Sequence, residues 1–195
     1  MSLKNKLSQI MADPWQHAKW LNTLSYLENC GAKLMAGCEH PTLVKEEMLK
    51  HAAEEFRHAY VLKNQIAKVH PDGIDTYRVD TLLGGYSSLQ YLTKLNVGVS
   101  RLLKRLSYKN LNLRGAAYTL VSYAIEVRAH DVYPTYQELL LEAKSRVSVR
   151  TIILEEAEHL QEMQEAVSQM PNGAVLAEKA CQIEQALWHS LQLQL

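Results

Sequence analysis

The pattern Glu-Glu-x-x-His occurs twice in the chain, as Glu54-Glu55-Phe56-Arg57-His58 and as Glu155-Glu156-Ala157-Glu158-His159. No other feature limits the fold as much. Residues i and i+3 of a helix project from one face, so Glu55 with His58, and Glu156 with His159, can each reach a single point. Both glutamates also sit on apolar faces. Glu55 shares its face with Met48, Ala52, Ala59, Leu62 and Ile66, and Glu156 with Val149, Ile152, Ile153, Leu160 and Met163. A solvated glutamate belongs on the opposite, polar face. A carboxylate taken out of water needs a partner or a proton. The two helices must therefore turn these groups toward something that supplies one.

Each motif helix is preceded by a helix with one glutamate on an apolar face. Asp13-Pro14 reads as an N-cap followed by proline at the first helical position, opening a helix that ends near Gly37 and carries Glu28. Leu21, Leu24 and Met35 lie on its face, and Gly31-Ala32 leaves room beside it. His40-Pro41 opens the second helix, which runs to about Val69 and stops at His70-Pro71-Asp72-Gly73. The third begins near Leu113 and runs through Glu126, with Pro134 expected to kink or break it. The fourth runs from about Val147 to Pro171-Asn172-Gly173. Between the pairs lies a long crossover holding an amphipathic segment from about Ser87 to Leu106, and a last one runs from Ala174 to about Leu193. No strand alternation is present, so the expected class is all-α: one domain over 1–195, a core bundle at about 14–170 and extra terminal helices. One long crossover between two antiparallel pairs is the ferritin-like connectivity.

The donor set is Glu28, Glu55, His58, Glu126, Glu156 and His159. Carboxylate oxygen with imidazole nitrogen suits iron, manganese or zinc better than magnesium or calcium. Four carboxylates and two neutral imidazoles carry a formal charge of −4, which two divalent ions cancel. A lone Glu-x-x-His is as well read as a surface glutamate beside an unrelated histidine; the doubled pattern is not.

On these residues the chain resembles the ferritin-like di-iron carboxylate superfamily of ferritins, bacterioferritins, rubrerythrins and di-iron oxygenases, over roughly 14–170. The resemblance implies two iron ions, with manganese or a mixed pair as variants. It implies that Glu55 and Glu156 bridge them, that Glu28 and His58 complete one ion, and that Glu126 and His159 complete the other. It further implies that Glu54 and Glu155 accept hydrogen bonds from the ligand histidine of the opposite motif, fixing each imidazole's orientation. His51 and His130, each four residues from a glutamate, read as supporting or solvated histidines. Tyr26, Tyr60, Tyr123 and Tyr133 read as core tyrosines with a hydroxyl partner.

The remaining features bound the function. Lysine plus arginine and aspartate plus glutamate number 21 each, so net charge gives no case for nucleic acid or an anionic membrane. The basic run Arg101, Lys104, Arg105, Lys109 and Arg114 reads as the solvated face of an amphipathic helix. No apolar run reaches the roughly 18 residues of a membrane span. Cys30, Cys38 and Cys181 form no C-x-x-C pair, which removes a rubredoxin-type module and fits a reducing, cytoplasmic compartment. The expectation is a di-iron oxidoreductase, monomer or homodimer, acting on dioxygen or peroxide. A small organic substrate and a separate electron donor would complete it. Ferroxidase and iron storage is the alternative, and a structural bundle with a vestigial site is the second.

Overall fold

Asp13 opens the first core helix as the sequence anticipates. In the computed structural model, which describes residues 2–37, 45–106 and 113–195, its carboxylate accepts from the backbone N–H groups of Trp15 and Gln16 at 2.8 and 3.0 Å. Pro14, whose missing N–H costs nothing at that position, begins the helix. Seven α-helices follow one another among the described residues, with no strand: α1 (Leu3–Ala12), α2 (Pro14–Ala36), α3 (Glu46–Gln65), α4 (Tyr86–Arg105), α5 (Leu113–Glu142), α6 (Arg150–Ser168) and α7 (Gly173–Gln192). The predicted opening of the second core helix at His40-Pro41, together with Cys38 and Lys109, lies outside the described residues.

α2 packs along α3 and α5 along α6, and the two pairs meet through α2 against α5 and α3 against α6. α4 lies over α5 and α7 and touches α2, while α1 packs on α2 and α5. The molecule is thus a helical bundle of two pairs, with α4 in the connection between them. The segment from α3 to α4 is pinned to α2 by polar contacts. Asn22 donates to the carbonyls of Thr76 and Thr81, both at 3.0 Å, and the Leu83 N–H donates to Thr23 Oγ1 at 2.8 Å.

Pro134 does not break its helix: α5 runs unbroken through it for 30 residues. Proline at this position removes the bond from residue 134 to the carbonyl of His130. Both residues are on the exposed side of α5, where water can serve that carbonyl. The tertiary packing of Val132, Tyr133 and Tyr136 on the opposite side, all nearly or fully buried, anchors this stretch of the helix.

The apolar core divides in two. One cluster gathers α1, the first half of α2, the far part of α5 and the start of α6, including Leu7, Trp20, Leu21, Tyr136 and Ile152. The other joins α4, the first part of α5 and α7, including Leu95, Leu120 and Ala180. Along α5 the two clusters are separated at Glu126, and along α6 at Glu156 and His159. That gap is where the acidic groups lie.

Candidate metal centre

All four core helices contribute buried polar side chains to one place. Glu55, Glu126, Glu156, His58 and His159 are each at most 5% exposed, and Glu28 is nearly as enclosed. Two groups of four side chains form there, each able to hold a metal ion: Glu28, Glu55, His58 and Glu156, and His51, Glu55, Glu126 and His159. Glu55 belongs to both. Glu156 stands only in the first, and the fourth place of the second is taken by His51.

The separations suit a shared ion. Donor atoms held at about 2.1 Å from one metal lie about 3.0–3.4 Å apart at octahedral or tetrahedral angles. His58 Nδ1 lies 2.9 Å from Glu156 Oε1 and 3.7 Å from Glu28 Oε2. His51 Nε2 lies 3.3 Å from Glu126 Oε1 and 3.6 Å from Glu55 Oε1, and His159 Nδ1 lies 3.5 Å from Glu55 Oε1. Among the described residues six buried side-chain polar atoms have no hydrogen-bond partner, and five belong to this cluster: His51 Nε2, His58 Nδ1, Glu126 Oε2, Glu156 Oε1 and His159 Nδ1. Buried polar atoms are paired almost without exception. Five such atoms converging on one point fit the lone-pair donors that a metal would satisfy.

The far side of each imidazole is already held. His58 Nε2–H donates to Glu155 Oε2 at 2.6 Å, and His159 Nε2–H donates to Glu54 Oε2 at 2.9 Å. Each acid thus binds the histidine of the other motif across the α3–α6 contact. A carboxylate only accepts, so both histidines carry a proton on Nε2, which leaves Nδ1 as the inward atom available to a metal once its own proton is displaced. Arg57 also donates to Glu155, and with His58 it holds that carboxyl below its usual range despite partial burial. Truncating Glu54 or Glu155 to alanine is expected to weaken metal affinity by about 10–100-fold, because the imidazole loses its fixed tautomer and direction. Competition titration against a chelator measures this.

Without metal the cluster is electrostatically stressed. Burial first, and the charges of Glu55 and Glu156 second, push Glu28 up to about 8. Burial likewise lifts Glu126 and Glu156 well above the carboxylate range, with neighbouring carboxylates adding to it. Burial acts on Glu55 too, but the imidazoles of His159 and His51 beside it outweigh that and hold its carboxyl down. Burial opposes the charged form of His58, yet contacts with Glu156 and Glu28 raise it to about 11. The protein retains protons where a divalent ion would replace them.

Three further residues shape the centre. Gly31, one turn after Glu28, faces Glu55; a Cβ there would lie 3.1 Å from Glu55 Oε2. The Tyr133 hydroxyl, buried with its ring, donates to Glu28 Oε1. Tyr133 is thus a core tyrosine whose partner is a candidate ligand. Tyr26 instead donates to the Leu89 carbonyl at 2.8 Å, Tyr60 is exposed, and Tyr123 is half-buried.

The two histidines set aside in the sequence part company. His51 is 2% exposed, and its ring lies 3.8 Å from that of His159 between centroids. It belongs to the cluster rather than to solvent. His130 is exposed and away from it. The described members of the basic run, Arg101, Lys104, Arg105 and Arg114, are exposed, and Arg114 donates to the Gly37 carbonyl. No helix is long and apolar enough to cross a membrane among the described residues.

Two spaces adjoin the centre. A small one of about 60 Å³ touches Glu28, Gly31 and Glu55. A wide open groove of about 990 Å³ reaches His51, between the start of α3, the start of α5 and the end of α6. No family model, curated protein or solved structure matches the chain.

Proposed function

We propose that the chain is a non-haem di-iron oxidoreductase of the ferritin-like kind, acting on dioxygen or peroxide at a carboxylate-bridged pair of metal ions. The observation that carries this reading is the sharing of Glu55 between two buried four-residue groups, because one carboxylate can span two ions with its two oxygens. Glu28, His58 and Glu156 would complete one ion, and His51, Glu126 and His159 the other. The order of the packed pairs, with α4 in the crossover, supports the family resemblance. Mixed oxygen and imidazole donors favour iron or manganese over magnesium. When bound, iron would supply the electrons for reduction of dioxygen or peroxide.

The chain's own residues do the rest. Glu54 and Glu155 hold the two histidines in one tautomer. Tyr133 donates its hydroxyl hydrogen bond to Glu28 Oε1 and so limits how that carboxylate can swing. The apolar clusters on either side exclude water from the cavity between them. An organic substrate has room in the groove that reaches His51. Electrons for repeated turnover would come from a separate donor.

Anaerobic loading with ferrous iron, followed by rapid mixing with dioxygen or hydrogen peroxide, tests the reading. Protein-bound iron should oxidise much faster than ferrous iron free in the same buffer, and loading should stop near two ions per chain. Oxidation no faster than in buffer would overturn the redox assignment. Uptake of many irons into a large particle would replace it with storage.

A further inference from the structure

The small space beside Glu28 and Glu55 has a wall that the four core helices do not supply. Tyr91 and Leu92 come from α4 and Trp188 from α7, lining one side of a small chamber whose floor is Leu24, Leu27 and Val132. This wall is fixed by a buried clasp. Glu184 of α7, 3% exposed, receives Arg128 Nε on one oxygen and Nη2 on the other, both at 2.9 Å, and also the Tyr91 hydroxyl. Arg128 then lies over the Trp188 ring, 5.0 Å from its centroid. Three helices are thereby tied at one carboxylate, and the chamber's outer side is a fixed surface.

We infer that this chamber is a docking site for a small apolar gas, dioxygen in the proposed reaction, and that it discriminates against peroxide and against organic molecules. Size decides the second exclusion. A volume of about 60 Å³ corresponds to about two water-sized occupants, whereas organic ligands of drug size occupy pockets of about 300–1,000 Å³. Hydrogen-bonding capacity decides the first. The polar groups on the wall are largely committed to one another: Tyr133 to Glu28, Tyr91 to Glu184, and three of the five Arg128 N–H donors to Glu184 and Asp131. Peroxide would lose its water and gain few partners away from the ligand carboxylates, which penalises a polar solute. Dioxygen has no such requirement. The groove at His51 shares no lining residue with the chamber, so larger or more polar molecules have a separate approach.

The inference rests on the di-metal reading only for the identity of the gas, and xenon separates the two. Crystals of the metal-free chain pressurised with xenon should show an atom against Leu27 and Val132. Ala129→Leu, which adds three carbons to the chamber wall, should abolish it, and Leu27→Phe is the second variant should the first fail to fold. In iron-loaded protein the same variant should slow oxidation by dioxygen about tenfold or more, the scale of a small misplacement at a reacting centre, with peroxide oxidation and metal content little changed. No xenon in the chamber overturns the inference, as does equal slowing with both oxidants. Xenon bound by a chain that takes up no metal would overturn the function proposed above while leaving the gas site in place.

Discussion

Glu55→Ala is expected to abolish both metal positions together, lowering stoichiometry from two toward zero. It is the one side chain common to the two buried groups, so its loss removes a donor from each and the link between them. Substitutions confined to one group should differ. His58→Ala or Glu28→Ala should chiefly empty the first position, and His51→Ala or Glu126→Ala the second. The affinity loss at Glu55 should exceed the roughly 10–100-fold of the supporting acids Glu54 and Glu155. Glu156 provides a sharp comparison. The family resemblance makes it a second bridge; the geometry groups it with Glu28, Glu55 and His58, while its carboxyl also meets that of Glu126. If it bridges, Glu156→Ala reproduces Glu55→Ala; if not, one ion survives. Metal analysis after gel filtration distinguishes these results.

The metal-free protein should lose stability as pH rises from about 5 to 8, and metal should reverse the trend. Glu28 releases its proton near 4.5 in the unfolded chain but only at about 8 in the folded one. Glu126 and Glu156 are displaced in the same direction. Through this window the folded state binds more protons than the unfolded, so stability falls with rising pH. His58 acts likewise: its contribution is whole below 6.5 and is lost as pH climbs through about 11. Glu55 has the opposite sign, but its carboxyl is ionised in both states above about 5 and adds no slope there. Each proton retained through the window costs the fold about 1.4 kcal/mol per pH step of one, and more than one is retained. Divalent metal replaces those protons and binds more tightly as pH rises. Thermal melts with and without metal at pH 5.5 and 8 should show a much larger gain at pH 8. An equal gain at both values would mean that the carboxyls are not protonated in the metal-free fold.

Local spacing made much of the centre legible. Glu28, Glu55, Glu126 and Glu156 stood on apolar faces, and a charge on a core face is a contradiction that only a partner resolves. Glu54 and Glu155 were readable only through the family resemblance, which implies a role for an acid just before each motif. Spacing could not separate His51 from His130. Each is four residues from a glutamate, about 40° around its helix, and the neighbouring helices decide which sits inside. For His51 the neighbours are α5 and α6, which bring Glu126 and His159 against it. Nor could spacing reveal the chamber. Tyr91 and Glu184 are 93 residues apart, and nothing local in either segment announces that they meet. The break expected as one outcome at Pro134 is absent for a related reason. The proline's cost depends on whether the freed carbonyl faces water, which is a property of the fold rather than of the residue.

The central claim is that two metal ions are bound on either side of Glu55. Anomalous diffraction at the iron edge, from crystals grown after anaerobic ferrous loading, tests it most directly. Two peaks per chain are expected, one among Glu28, His58 and Glu156, the other among His51, Glu126 and His159, with Glu55 touching both. A single peak, no peak, or iron bound away from Glu55 would contradict the account.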